Sequence, residues 1–171
     1  PRLLGVDLIH HGGESGALSA QMKPRFEWYL KKAKPGILVL IAGGNDARQM
    51  VDTKKIEQNL REVIQLAQKN KIPVILGGMK IFTNFGADYT GRFEKLYKNL
   101  SQSKQVTLIP FVLEGVAADK RFNQADGFHP NPAGHKIIAE TLLPYLRELF
   151  ETDLIQLEQI IWSRSEERRV G

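Results

Sequence analysis

The chain has 171 residues, of which 42% are hydrophobic and 25% charged, a composition typical of one globular domain with a buried core. It contains no cysteine, which excludes disulfides, thiolate catalysis and zinc–cysteine sites, and no apolar run approaches the roughly 18 residues needed to cross a bilayer. The net charge is +5, but the basic residues are scattered and usually stand beside acidic ones, so we expect no nucleic-acid partner and no stable membrane insertion.

Four short apolar runs predict the strands of the domain: Val6–Ile9, Ile37–Ile41, Pro73–Gly77 and Val106–Ile109. Runs this apolar are typical of strands buried on both faces, as in a parallel sheet. Longer segments with apolar residues at helical spacing predict helices at Lys54–Asn70, at Ala87–Ser103 and from Pro132 into Leu142–Phe150. Pro144 is expected to kink or split the last of these helices.

The alternation of strands with helices predicts an α/β fold, a three-layer α/β/α sandwich with a mostly parallel sheet. We assign residues 1–150 to this domain and residues 151–162 to a further helix. Residues 163–171 are polar, basic and unpatterned, and are expected to be a disordered or non-native tail. Ligands of such sheets bind beyond the carboxyl ends of the strands, so the chemistry is expected there.

Glycine-containing turns follow the first two predicted strands. After the first, Gly12 or Gly13 could offer a backbone N–H to a developing oxyanion, although the segment also fits an ordinary strand-to-helix loop. After the second, Asn45 follows two glycines and could donate its side-chain amide to the same oxyanion, whereas on local sequence alone a plain capping turn is favoured. His10 and His11 have no partner at ligand spacing, and we expect no metal site.

The most specific signal is the run Asp126-Gly-Phe-His129-Pro-Asn131. An aspartate three residues before a histidine, with a glycine between them, can fold its carboxylate back onto the imidazole. Such a carboxylate orients the ring and stabilises the imidazolium that forms when the histidine takes a proton. A lone histidine is more often structural, but this spacing indicates a general base and its orienting partner.

Three blocks, in order and at compatible spacing, resemble the second, third and fifth conserved blocks of the SGNH (GDSL) hydrolase family: Gly13-Glu-Ser15, Gly43-Gly-Asn-Asp46 and Asp126-Gly-Phe-His-Pro-Asn131. The turn 77–79 and the segments 83–90 and 109–116 resemble the bacterial arylesterase branch, which is akin to acyl-CoA thioesterase I and lysophospholipase L1. The resemblance runs from about Val6 to Leu149. It implies a flavodoxin-like sandwich that hydrolyses small acyl esters or thioesters without a cofactor.

The resemblance also assigns roles to individual residues. It implies that Asp126 and His129 are the orienting and general-base members of a catalytic triad, and that Gly13 and Asn45 form the oxyanion hole. Gly12 is the alternative to Gly13, because this block departs from the usual Ser-Gly-Glu-Thr pattern. The substrate contacts that it implies come from four side chains, those of Met79, Phe82, Phe85 and Tyr89.

The family's first block, a strand end with Gly-Asp-Ser-Leu that carries the nucleophile, has no counterpart in the chain. None of the six serines follows an apolar strand as Gly-Asp-Ser; they are Ser15, Ser19, Ser101, Ser103, Ser163 and Ser165. Ser15 lacks the second glycine of a Gly-x-Ser-x-Gly nucleophile elbow and is expected to cap a helix. We therefore expect that the fold's first strand and its nucleophile have been lost ahead of Pro1, and that the chain alone is inactive.

The leading hypothesis is a serine esterase. A non-catalytic lipid- or glycan-binding protein on the same fold would explain the missing serine, but it does not require Asn45, Asp126 and His129 together. A flavodoxin-like nucleotide binder is disfavoured because the chain has no glycine-rich phosphate fingerprint. The sequence leaves open the preferred acyl length, the choice between ester and thioester substrates, and the oligomeric state. It also leaves open the compartment: we expect a periplasmic or secreted protein if a leader precedes Pro1, and a cytoplasmic one otherwise.

Overall fold

The computed structural model describes residues 12–14, 16–33, 35–81 and 83–167, and for Thr83 and residues 152–167 it describes the backbone alone. Its sheet consists of three strands in the order in which they occur in the chain: β1 (Leu38–Leu40), β2 (Val74–Gly77) and β3 (Val106–Ile109). All pairs are parallel, with Leu38 opposite Val74 and Val74 opposite Val106. Three predicted strands are thus confirmed. The fourth, Val6–Ile9, lies outside the described residues.

Five α-helices surround the sheet in the described chain: α1 (Met22–Ala33), α2 (Gly44–Arg48), α3 (Thr53–Lys69), α4 (Ala87–Ser101) and α5 (Pro132–Glu167). Single turns of 3₁₀ helix lie at Ser19–Gln21 and Thr83–Phe85. The predictions for α3 and α4 are confirmed to within two residues. No bounds were predicted for helices α1 and α2, because α2 has only five residues and α1 buries a single described side chain, that of Phe26.

The hydrophobic core confirms the three-layer arrangement. On one face of the sheet, Leu40 and Leu76 pack against α3 and α4, whose buried side chains include Ile64 and Phe93. On the other face, Ile75 and Ile109 form a cluster with residues of α5. Full burial of an aliphatic side chain stabilises the fold by about 1.5–3 kcal/mol. Because Ile75 and Leu76 point to opposite faces of β2, each contributes this stabilisation to the packing of one helical layer.

Of the two outcomes predicted for Pro144, a kink or a split of the last helix, the split is wrong and the kink stays a prediction. Helix α5 is continuous from Pro132 to Glu167 with Pro144 inside it. Proline removes one intrahelical hydrogen bond, the one to the carbonyl four residues earlier, which belongs to Glu140. Both Glu140 and Pro144 are exposed, so water can satisfy that carbonyl and the proline ring projects away from the sheet.

Helix α5 also runs through the predicted boundary at residue 150. The backbone is helical as far as Glu167, so the segment 151–162 continues α5 and does not form a separate helix. Residues 163–167 of the predicted disordered or non-native tail are helical too, whereas residues 168–171 lie outside the described residues, so a non-native origin of this tail stays a prediction. Among the described residues, no helix combines the length and the apolar character that a membrane span needs.

Candidate functional site

The long loop between β3 and α5 carries Asp126 and His129. It closes on itself through an antiparallel bridge between Asn123 and Pro130, in which the Gln124 N–H donates to the His129 carbonyl at 2.7 Å. Gly127 sits between the aspartate and the histidine with φ of 72°, a left-handed conformation that favours glycine. The loop therefore turns back sharply enough to bring the two side chains together.

Asp126 and His129 are in direct contact, as their spacing predicted. The imidazole Nδ1 lies 2.6 Å from Asp126 Oδ2, while Asp126 Oδ1 accepts the backbone N–H groups of His129 and Phe128 at 3.0 and 2.9 Å. The backbone N–H of His129, its ring and the N–H of Phe128 together hold the pKa of the Asp126 carboxyl well below its usual range. Asp126 is thus a carboxylate that fixes the ring orientation.

The second part of the site is the turn after β1. Gly43 has φ of 108° and precedes α2, whose first turn contains Asn45. The Asn45 amide nitrogen donates to the carbonyl of Ala17 at 3.0 Å, so the side chain reaches the loop that begins with Gly12 and Gly13. One of its two N–H hydrogens is used in this way, and the amide has a second to offer.

Asp46, next to Asn45, is 1% exposed and anchors this turn. Its carboxylate accepts the Ser19 N–H at 2.9 Å and the Ser19 hydroxyl at 2.5 Å, and the Ser19 hydroxyl oxygen accepts an N–H of Asn59 at 2.9 Å. On local sequence, this turn was expected to be a plain capping turn. No local pattern could have shown the partner of Asp46, which lies 27 residues away.

Tyr97 also stabilises this turn, through a hydrogen bond to its backbone. Its hydroxyl donates to the Ala42 carbonyl at 2.8 Å, and burial, followed by the charge of Asp46, raises its pKa well above the usual range. A Cβ on Gly43 would lie 2.5 Å from this hydroxyl oxygen. Gly43 is therefore required both by its positive φ and by the close approach of Tyr97.

The loop with Gly12 and Gly13 lies against α1. Arg25 donates to the Gly12 carbonyl at 3.0 Å and forms an ion pair with Glu14. A Cβ on Gly12 would come within 2.9 Å of the Tyr29 ring, whereas Gly13 is exposed. The packing therefore makes Gly12 the structural glycine of the pair, and oxyanion donation by Gly13 stays a prediction. Ser15, His10 and His11 lie outside the described residues.

The four predicted substrate contacts fall in different places. Met79 is half-buried, and a Cβ on Gly44 would lie 2.9 Å from its Cε, so it borders the turn that carries Asn45. Phe85 packs half-buried against the core. Tyr89 is buried, and its hydroxyl donates to the Val51 carbonyl at 2.7 Å, which gives it a place in the core. Phe82 lies outside the described residues.

A contact that we did not predict joins the two parts of the site. The guanidinium carbon of Arg48, at the end of α2, lies 5.4 Å from the centroid of the Phe128 ring. Phe128 is the residue before His129, and Arg48 is three residues after Asn45. The elements that carry Asn45 and His129 are thus neighbours. The described residues contain no group of three or more His, Asp or Glu side chains placed to hold a metal ion.

Proteins of known activity resemble this chain over most of its length. It is 33% identical over 135 residues to the esterase TesA of Pseudomonas aeruginosa, an alignment that covers 79% of this chain and 67% of that protein. It is 30% identical over 139 residues to the thioesterase 1/protease 1/lysophospholipase L1 of Escherichia coli K12, covering 81% and 67%. A crystal structure of TesA superposes with a TM-score of 0.75 at 32% identity, covering 79% of this chain and 75% of that one.

The two blocks of the site, the Gly-Gly-Asn-Asp turn and the Asp-Gly-Phe-His loop, both fall within residues 1–137, which match a single family model. The alignment to the Pseudomonas esterase and the superposition on the TesA structure each cover 79% of this chain. The chain belongs to the GDSL-like lipase/acylhydrolase family.

Proposed function

We propose that this chain hydrolyses carboxylic esters or thioesters through an acyl-enzyme, with His129 as the general base. The observation that carries the proposal is the 2.6 Å contact between His129 Nδ1 and Asp126 Oδ2. With Nδ1–H donating to the carboxylate, the lone pair of the neutral ring is on Nε2, the atom that can take a proton from a nucleophile. Exposure of the ring, 55% for the side chain, leaves it accessible to a substrate.

The reaction proceeds in two steps. In the first, His129 Nε2 takes the proton of a serine hydroxyl as its oxygen attacks the acyl carbonyl, and then gives that proton to the departing alcohol or thiol. In the second, Nε2 takes a proton from a water whose oxygen attacks the acyl-enzyme, and then gives that proton to the departing serine oxygen, which restores the serine and releases the carboxylic acid. Asp126 stabilises the imidazolium in both steps. This chemistry needs no metal and no organic cofactor.

Asn45 and Gly13 supply the oxyanion donors in this proposal. The contact of Asn45 with the Ala17 carbonyl supports it, because that bond ties the amide to the loop in which Gly13 lies. Buried Asp46 and Tyr97 fix the turn before any substrate arrives. Donors that are already oriented stabilise the developing charge without reorganisation at the moment of reaction. The substrates that we propose are small acyl esters or thioesters, in agreement with the names of the relatives.

The nucleophile requires a separate proposal, since no serine among the 171 residues stands in a Gly-Asp-Ser sequence. We propose that the 171-residue chain alone hydrolyses p-nitrophenyl butyrate no faster than its own His129→Ala variant. A family-like segment bearing Gly-Asp-Ser, joined ahead of Pro1, should then confer turnover. Changing that serine to alanine should abolish the turnover again.

The fusion of the Gly-Asp-Ser segment to this chain, called the joined enzyme below, tests the roles assigned to individual residues. Asp126→Asn should lower kcat by about 10⁴ and Asn45→Ala by about 10²–10³, with smaller changes in KM. His135→Ala is the matched control for His129→Ala, because His135 is an exposed histidine on α5 outside the site. Equal losses from the two histidine variants would contradict the base assignment. Robust His129-dependent turnover by the unextended chain would contradict the proposed inactivity.

The binding-protein alternative makes a different prediction. A lipid or glycan binder should bind its ligand with unchanged affinity when His129 is replaced by alanine, and the joined serine should confer no turnover. Isothermal titration of the joined chain, together with its hydrolysis rate, separates the two hypotheses.

A further inference from the structure

The proposed oxyanion donor, the N–H of Gly13, belongs to a pair of consecutive glycines, Gly12 and Gly13. Glycine has more conformational freedom than any other residue, so this segment of backbone does not fix its own peptide planes. An oxyanion donor is most effective when it is oriented before the charge develops. The orientation of the Gly13 N–H therefore has to come from contacts with the rest of the fold.

Arg25 on α1 supplies two such contacts, one on each side of Gly13. Its Nη1 donates to the Gly12 carbonyl at 3.0 Å, and its Nη2 forms the ion pair with the Glu14 carboxylate. The two nitrogens belong to one rigid, planar guanidinium, which holds the Gly12 carbonyl and the Glu14 side chain in a fixed relation to each other. Gly13 lies between the two points at which the chain is held.

The contact with the Gly12 carbonyl also sets the direction of the Gly13 N–H, because both groups belong to the same peptide unit. In a planar trans peptide the C=O and the N–H point in opposite directions. With the carbonyl directed at Arg25, the N–H is directed away from α1. Gly13 is exposed, and its N–H has no acceptor among the described residues, so this donor is available to a ligand.

Helix α1, which carries Arg25, is itself held in the fold. Phe26, the next residue, is 5% exposed and belongs to the hydrophobic core. Tyr29 comes four residues after Arg25, so it lies on the same face of the helix, and its ring packs against Gly12. One face of an anchored helix thus contacts the glycine pair through a hydrogen bond, an ion pair and a ring.

We infer that Arg25 is a positioning residue for ester hydrolysis: it fixes the Gly12–Gly13 peptide so that the Gly13 N–H is oriented as an oxyanion donor. A cationic donor on the carbonyl also polarises the peptide, which makes the N–H of the same unit a stronger donor. The inference rests on the proposed function, which names Gly13 as the donor. The side chains of Arg25 and Glu14 are 25% and 57% exposed, so their ion pair contributes little to global stability and its effect is local.

Nitrogen-15 relaxation of the 171-residue chain tests the inference without turnover. The order parameter of the Gly13 amide should be about 0.85, the value of rigid backbone, and should fall below about 0.6 in Arg25→Met. Arg25→Lys keeps the charge but offers one nitrogen in place of two, so it should give an intermediate value. Lys31→Met makes the same change of charge at an exposed position of α1 and should leave Gly13 unaffected. The urea midpoint should stay the same in all three variants.

The joined enzyme supplies a second readout. Arg25→Met should lower kcat about 10–10²-fold and change KM little, because a donor that is present but poorly oriented keeps part of its effect, whereas complete loss of a donor costs about 10²–10³. Lys31→Met should leave both constants unchanged.

Three results would overturn the inference. An order parameter of Gly13 that is unchanged in Arg25→Met, or equally lowered in Lys31→Met, would mean that Arg25 does not hold this peptide. An order parameter that falls together with the urea midpoint would mean that Arg25 supports the whole fold. A loss confined to KM in the joined enzyme would mean that Arg25 binds substrate. A joined enzyme without turnover would contradict the proposed function alone, because the relaxation measurement on the 171-residue chain decides the inference by itself.

Discussion

The turn Gly43–Asp46 and the loop Asp126–His129 lie at the same edge of the sheet but are held by different interactions. Asp46 is 1% exposed, and its partner Ser19 and the supporting Tyr97 come from distant parts of the chain. The side chains of Asp126 and His129 are 44% and 55% exposed and bind each other three residues apart. The turn depends on the folded core, whereas the loop depends on local geometry. Substitutions at Gly43 and Asp46 in the turn should change global stability, whereas those in the loop should change it little.

The largest effect on stability is expected at Gly43. A methyl group there would approach the Tyr97 hydroxyl and would have to tolerate a φ of 108°. Overpacking costs about 1–3 kcal/mol, and a left-handed conformation of a residue with a Cβ costs about 1–2 kcal/mol. Gly43→Ala should therefore lower the free energy of unfolding by about 3 kcal/mol, measured by urea denaturation.

Gly91 provides the control for this substitution. It lies inside α4, and a Cβ there would meet no other atom within 4 Å. Gly91→Ala should therefore stabilise the chain by about 0.5–1 kcal/mol, because alanine loses less backbone entropy in a helix. If the two variants shift the urea midpoint in the same direction, the contrast between the packed turn and open helix positions is wrong.

The second prediction concerns the buried network. Asp46→Asn keeps the shape of the side chain but replaces one acceptor oxygen by a donor that faces Ser19, so one hydrogen bond is lost in a buried place. The free energy of unfolding should fall by about 2 kcal/mol. Asp88→Asn makes the same change on a side chain that is 83% exposed and should cost less than about 0.5 kcal/mol. Equal costs would show that Asp46 does not anchor the turn.

The same contrast explains what could be predicted from the sequence. The loop was predictable because its spacing, Asp126 to His129 across Gly127, determines a local geometry. The strands and helices α3 and α4 were predictable because their apolar residues repeat at a fixed period, as at Ile56, Leu60 and Ile64.

The supports of the turn were not predictable, because they join residues far apart in the chain. Ser19 meets Asp46 across 27 positions, and Tyr97 meets Ala42 across 55. Tyr97 lies with Phe93 on the buried face of α4 at helical spacing, but that spacing does not show that its hydroxyl would donate to the Ala42 carbonyl. The contact between Arg48 and the Phe128 ring has the same character, since it joins the end of α2 to the loop before α5 across 80 positions of the chain.

The smallest effect on stability is expected at Asp126, and it concerns pH. The pKa of this carboxyl is lowered in the folded chain by the backbone N–H and ring of His129 and by the N–H of Phe128. A group whose folded pKa is depressed stabilises the fold above its unfolded pKa and loses that contribution as the pH falls through the folded pKa. For Asp126 the loss begins only below its ordinary value of 3.8, so the contact with His129 should persist through the neutral and mildly acidic range. The exposure of both side chains keeps the stability term small.

A carbon-13 titration of the aspartate carboxyls measures this directly. In the unaltered chain Asp126 should titrate well below 3.8, and in His129→Ala its pKa should rise but stay below 3.8, because the two backbone N–H donors remain. Asp119 is the internal reference, since hydrogen bonds from Arg121 lower its pKa to about 2 and are independent of His129. A pKa of Asp126 that does not move in His129→Ala would mean that the imidazole does not hold this carboxylate. An ordinary pKa in the unaltered chain would mean that the loop is open in solution, and the local geometry on which the proposed base depends would then form only when substrate binds.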